Sequence, residues 1–244
     1  TFIYINSVAV TYSLWPLTRG ELQLSTASIN APYVNFQQRQ DSIWNFNSLV
    51  KEQAESSSDT TSASGKFRLL LSNFQIIDGQ MQIQALDSLI PEEVRNINLE
   101  ANGAYSSKEQ TLTLKRFGLQ THSPDFDLRE LSFATRRTEE IISLSDFHLK
   151  TAQNGLDATA RYSGDETKEI FAEMQTNPIT INEFEFLLPN FTLPAHPEIS
   201  FKANSTQKGV EATLSVRDKN QQVNLDLFSE NLVQFINGND KTGL

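Results

Sequence analysis

The sequence predicts a mainly β chain: an antiparallel meander forming a curved, partly open sheet, with one or two short capping helices. Three observations predict it. First, apolar residues recur at every second position, as at Val210, Ala212, Leu214 and Val216 between Glu211, Thr213, Ser215 and Arg217. Side chains on a strand alternate between faces, so such runs carry one apolar and one wet face. Second, Asn-Gly, Asp-Gly and similar turn signals separate the runs. Third, five segments share the spacing apolar-x-apolar-x-x-apolar-x-apolar. The extra residue flips the phase; a β-bulge would restore it and bend the strand, which curls a sheet along its length.

Taken in order, Val8, Val10, Tyr12 and Leu14 begin the alternation, and Leu22, Leu24, Ala27 and Ile29 form the first phase-shifted segment. Residues 43–50 predict a short helix, with Asn45 or Asn47 as its cap. Residues 54–65 are rich in Ser and Thr and read as a flexible linker or exposed loop. The second phase-shifted segment is Leu69, Leu71, Phe74 and Ile76. Asp78-Gly79 then predicts a hairpin between strands at 67–77 and 80–86. Strands at 94–105 and 109–120 follow, with Asn102-Gly103 as a further turn signal and Leu112, Leu114, Phe117 and Leu119 as the third segment.

Strands at 125–137 and 140–150 carry the last two segments, Phe126/Leu128/Leu131/Phe133 and Ile142/Leu144/Phe147/Leu149. Asn154-Gly155 and Ser163-Gly164-Asp165 set off strands at 155–163 and 168–175. After Pro178, residues Ile179, Ile181, Phe184, Leu187 and Leu188 suit a short amphipathic helix. Pro189, Pro194 and Pro197 force an irregular connection. Strands at 198–206, 209–218 and 221–228 complete the meander around Lys208-Gly209. The organisation is therefore N-terminal strands and a short helix (1–53), a linker (54–65), repeated strands of the same β structure (66–236) and a frayed polar tail (237–244).

Composition narrows function by exclusion. The chain has 244 residues, enough for a real core, but only 38% are hydrophobic, which favours a body with much polar surface. The formal charge of −10 is spread along the chain and disfavours nucleic acid and anionic lipid surfaces, which need clustered Lys and Arg. With no cysteine, disulfides, thiol catalysis and thiolate metal sites are excluded. No apolar run approaches the roughly 20 residues of a spanning helix. The start, inside a strand-like pattern and without Met, reads as a fragment of a longer chain.

The search for chemistry finds no catalytic, cofactor or metal constellation. His122, His148 and His196 do not stand at ligand spacing from one another. His148 falls on the polar phase of its strand, as an exposed residue would. Asp125 and Asp127 resemble part of a calcium loop, but the glycine at its sixth place is missing, so they read as turn chemistry. Carboxylate pairs for glycoside hydrolysis meet from distant strands, and nothing favours one pair. Trp15 is expected to cover a sheet end and Trp44 to plug one. The salient feature is instead a continuous apolar sheet face. Periodicity reads the same whether that face is a sealed core between two sheets or the lining of an open groove for acyl chains.

The first half of the chain adds a resemblance. The run from Val8 to Leu14, the strand from Gly20 to Leu24, the segment Ile29 to Phe36 around Pro32, and the turn Ile43-Trp44-Asn45-Phe46 to Leu49 look like the N-terminal portion of the AsmA-like superfamily, TamB-type branch. The segment Leu71 to Ile83 through Asp78-Gly79 is similar to that family's recurrent strand pair. The resemblance is ordered over residues 8–84; beyond them it rests on β repeats and the segment ending at Leu187-Leu188-Pro189.

The resemblance implies a periplasmic, taco-shaped β groove in a Gram-negative envelope protein anchored in the inner membrane. Such a protein passes phospholipid between membranes or assists outer-membrane protein assembly, and is not an enzyme. The implied partners are phospholipid or another acyl lipid, and outer-membrane assembly proteins. The expected groove lining is Leu69, Leu71, Phe74, Ile76, Leu112, Leu114, Phe117, Leu119, Ile142, Leu144, Phe147 and Leu149. The alternative is a secreted or surface β-sandwich that binds glycan or protein through its loops.

Overall fold

The computed structural model describes residues 2–47, 68–87, 89–164, 169–188, 191, 194–206 and 209–230. The linker at 54–65 and the tail at 237–244 lie outside them. Twelve strands are present: β1 (Ile3–Ser13), β2 (Glu21–Gln37), β3 (Arg68–Gln84), β4 (Glu93–Tyr105), β5 (Glu109–His122), β6 (Phe126–Thr138), β7 (Ile141–Thr151), β8 (Gly155–Ser163), β9 (Ile170–Thr176), β10 (Glu198–Thr206), β11 (Gly209–Asp218) and β12 (Gln221–Ser229). They form one sheet in sequence order, not closed into a barrel. A sandwich needs two facing sheets, and the strands make one.

The chain divides into two compact units, Thr1–Ser107 with Lys115–Arg129, and Lys108–Leu114 with Glu130–Leu244. In the second unit β7 to β12 pair antiparallel with their sequence neighbours, joined by turns of a few residues except between β9 and β10, where residues 177–197 intervene. The strands predicted at 198–206 and 209–218 form with those bounds as β10 and β11.

The first unit departs from the predicted meander in three ways. β2 and β3 run parallel, from Glu21 beside Arg68 to Gln37 beside Gln84. Parallel neighbours cannot be joined by a tight hairpin, and here residues 38–67 make the return. Next, Asp78-Gly79 is not a hairpin: β3 passes through it without reversing. Asp78 takes φ 53°, and the register with β4 shifts on both sides of Gly79. A left-handed residue that would turn a free chain here only kinks one already paired on both edges. Asn102-Gly103 likewise lies within β4, and the reversal comes after Tyr105.

The capping helices are reduced to turns. Among the described residues of 43–50, Trp44 makes an isolated bridge to Gln38 and a turn follows, so no helix forms there. The segment after Pro178 holds one 3-10 turn, Ile181–Phe184, and a second such turn, Trp15–Arg19, joins β1 to β2.

A register shift accompanies the mid-strand phase change in the segments on β2, β3 and β7. β2 carries its extra residue opposite Thr11/Tyr12, β3 between Leu71 and Phe74, and β7 between Leu144 and Phe147. In β7 the bulge includes Asp146 at φ 52°, where a short polar side chain tolerates the left-handed region. The bulges keep Leu69, Leu71, Phe74 and Ile76 on one face of β3, and Ile142, Leu144, Phe147 and Leu149 on one face of β7.

Candidate functional site: the apolar sheet faces

In the first unit, cross-strand register collects apolar side chains into transverse rows. Val10, Ala27, Phe74 and Ala101 stand side by side on β1 to β4, and Val8, Ile29, Ile76 and Leu99 form the next row. Leu24 lies beside Leu71, and Leu22 beside Leu69. Phe36, Trp44 and Phe46 close the end of this region. Trp44 stacks on Phe46 with ring centroids 6.0 Å apart, and Phe36 meets both edge-on. Trp44 thus plugs a sheet end as its sequence context predicts. Trp15 does not cover one: it is 73% exposed on its 3-10 turn.

The second unit repeats the arrangement over six strands. One row runs Phe147, Ala158, Met174, Phe201, Leu214 and Leu225. The next runs Leu144, Ala160, Ala172, Ala203, Ala212 and Leu227. No charged side chain interrupts either row. The opposite face carries rows such as Thr159, Glu173, Lys202, Thr213 and Asp226.

Burial decides between sealed core and open face within each unit. Among the described residues the buried apolar side chains are Val94, Ala101, Ala203 and Val210, none larger than valine. Leu69, Leu71, Phe74, Ile76, Leu114, Phe117, Leu119, Leu144, Phe147 and Leu149 are half-buried; Leu112 and Ile142 are exposed. A strand residue packed beneath an opposing layer would be shielded on all sides. None of these side chains is fully shielded; each keeps part of its surface accessible to solvent.

Of the expected lining, Leu69 to Ile76, Phe117 and Leu119 belong to the first unit, and Leu112, Leu114 and Ile142 to Leu149 to the second. Sequence reasoning did not include the apolar residues of β8 to β12, which share the rows of β7. Their signal was present as plain alternation, at Leu156, Ala158, Ala160 and Tyr162 and at Val223, Leu225 and Leu227, but no phase shift marked it.

The polar side of each unit is held by ladders of hydrogen bonds. In the first unit Asp78 N–H donates to Asn98 Oδ1 at 3.1 Å, Asn98 Nδ2 to the Asn96 carbonyl at 2.8 Å, and Asn96 Nδ2 to Gln120 Oε1 at 2.7 Å. In the second, Glu183 on its 3-10 turn grips the β7–β8 turn. Thr151 Oγ1 donates to Glu183 Oε2 at 2.5 Å, Asn154 Nδ2 donates to the same oxygen, and Gln153 N–H donates to Oε1 at 3.3 Å. Thr180 N–H donates to Asn154 Oδ1 at 2.7 Å. The segment after Pro178 is therefore fastened at the end of β7 and β8, although it is not an α-helix.

The histidines are dispersed. His148 Nδ1 lies 2.6 Å from Asp157 Oδ1 on the polar face, His122 Nδ1 lies 2.9 Å from Asp125, and His196 Nδ1 lies 3.3 Å from the Ile179 carbonyl. Among the described residues no three His, Asp or Glu side chains cluster to hold a metal ion, and no helix is long and apolar enough to cross a membrane. What the apolar rows offer chemically is desolvation: each methylene covered is worth about 0.8 kcal/mol. Comparison with family models, curated proteins and solved structures finds no match to this chain.

Proposed function

We propose that the chain is the periplasmic β segment of an inner-membrane-anchored, AsmA/TamB-like envelope protein. In this reading it conducts phospholipid, or assists outer-membrane protein assembly, through an apolar groove and without catalysing a reaction. One observation carries the reading: in the charge-free apolar rows of each unit every large side chain keeps part of its surface accessible to solvent, and only the small Ala101 and Ala203 are buried. A soluble chain leaves an extended apolar face wet only at a cost, and that cost is offset when the face takes up apolar ligand. Acyl chains suit such a face, because they need neither a hydrogen-bond partner nor a counter-charge. The resemblance over residues 8–84 supplies the envelope context.

Native mass spectrometry and solvent extraction of the purified chain test the reading. The expected result is co-purifying phospholipid, with a several-fold lower yield from Phe201→Asp and Leu214→Asp variants that retain the β circular-dichroism spectrum. A lipid-free protein that also takes up no fluorescent phospholipid from vesicles would sink it.

A further inference from the structure

Asn96 of β4, Arg116, Gly118 and Gln120 of β5, and Asp127 and Arg129 of β6 line a hollow of about 320 Å³ in the first unit. That volume stands at the lower end of the roughly 300–1,000 Å³ that small-ligand sites occupy. Gly118 and Gln120 alternate with Phe117 and Leu119, so they lie on the sheet face opposite those apolar side chains.

Three features set the hollow apart from ordinary polar sheet surface. Its floor is backbone: Gly118 is buried, and a Cβ there would stand 3.1 Å from the carbonyl oxygens of Leu128 and Arg129. Its walls are fixed. The amide chain that reaches Gln120 continues, with Gln120 Nε2 donating to Asp127 Oδ1 at 3.4 Å and Arg129 Nε donating to Asp127 Oδ2 at 3.1 Å. Polar groups that hold one another keep their remaining hydrogens and lone pairs in place, which lowers the ordering cost of binding. Its charge is uncompensated: the Arg116 guanidinium has neither a hydrogen-bond nor an ion-pair partner among the described residues. Two guanidinium groups and one carboxylate leave the hollow net positive, within a chain of formal charge −10.

We propose that this hollow binds an oxyanion flanked by hydroxyl groups, the chemistry shared by a sugar acid and a glycerophosphate headgroup. Each part of such a ligand has its counterpart. The Arg116 fork matches a carboxylate or phosphate through two parallel N–H···O bonds. The amides of Asn96 and Gln120 both donate and accept, as hydroxyls do. Asp127 disfavours a bare anion by repulsion but accepts from a hydroxyl. A neutral polyol leaves the Arg116 charge unanswered.

Isothermal titration calorimetry of the purified chain with glucuronate, glycerol phosphate, glucose and inorganic phosphate tests the proposal. Glucuronate or glycerol phosphate is expected to bind with a Kd on the order of 1 mM, and glucose and inorganic phosphate about tenfold more weakly or not at all. The tighter of the first two identifies the source, sugar or headgroup. Arg116→Gln should weaken that ligand about tenfold and Gln120→Leu several-fold, with circular dichroism unchanged because both side chains are exposed. Arg161→Gln removes an exposed charge from β8, outside the hollow, and should leave the Kd as it was. Three results overturn the proposal: no saturable binding of glucuronate or glycerol phosphate; glucose or inorganic phosphate binding as tightly; or an effect of Arg116→Gln or Gln120→Leu no larger than that of Arg161→Gln. No probe carries an acyl chain, so the outcome stands apart from that of the proposed function.

Discussion

Asp78-Gly79 and Asn154-Gly155 are nearly the same dipeptide, and the chain uses them for opposite ends. At Asn154-Gly155 it reverses: Thr151 N–H donates to the Asn154 carbonyl, Gly155 N–H to Asn177 Oδ1, and Glu183 gathers the remaining donors. At Asp78-Gly79 it goes straight on. There β2 runs alongside on one edge, Asn30 by Ile77 and Tyr33 by Gln80, while β4 holds the other. Gly79 is buried, and a Cβ on it would stand 3.1 Å from Ile97 Cβ and 3.3 Å from Pro32 Cγ. Only Asp78 takes the left-handed conformation; the reversal at Asn154-Gly155 uses none and is set by its hydrogen bonds. The lesson is that the dipeptide alone does not specify a turn: the strands and side chains beside it decide whether the chain reverses or only kinks.

If that account holds, substitutions at the two steps should differ in size and even in sign. The largest effect is expected at the true turn. Glu183→Ala strips the acceptor from Thr151, which is 2% exposed, and from Asn154. Thr151 Oγ1 keeps the Asn154 carbonyl at 3.3 Å and Asn154 Nδ2 the Thr180 carbonyl at 3.1 Å, so what is lost is the pair of bonds to a charged acceptor, worth about 3 kcal/mol and read as a lower urea midpoint at unchanged slope. A value near zero would mean that water replaces the carboxylate and that the turn stands without its anchor. Gly79→Val should cost about 1–3 kcal/mol by overpacking against Ile97 and Pro32, in the same assay. A neutral result would show that β2 and β4 are not held as closely as the kink requires. Smallest is Asp78→Gly: glycine adopts φ 53° without a Cβ penalty but gains unfolded-state entropy, so the change should stay within about 1 kcal/mol of zero.

The same contrast shows how far the residues alone can be read. β4 to β12 are legible within about two residues of their ends, because alternation sets the strands and short polar turns separate them. The parallel β2–β3 pair was not legible. Nothing local in Glu21–Gln37 distinguishes a neighbour reached through residues 38–67 from one reached through a hairpin. The helical spacing of Ile179, Ile181, Phe184 and Leu188 was also misleading. Asn154 and Glu183 fasten that stretch as a 3-10 turn, and such long-range bonds leave no periodic trace. For the candidate site, what was legible is that the named apolar residues of β3 share one face, and those of β7 another, through the bulges in each strand. The exposure of their face was not, since Phe74 or Phe147 alternates identically under a second layer or under solvent.

The scarcity of buried apolar side chains has a calorimetric consequence. The heat-capacity increment of unfolding arises mostly from apolar surface newly wetted, and a face already wet in the folded state contributes little to it. A broad and shallow stability curve is therefore expected, which differential scanning calorimetry would show as a small heat-capacity step for a chain of this length. Cooling should then erode it less than it erodes a protein with a sealed interior.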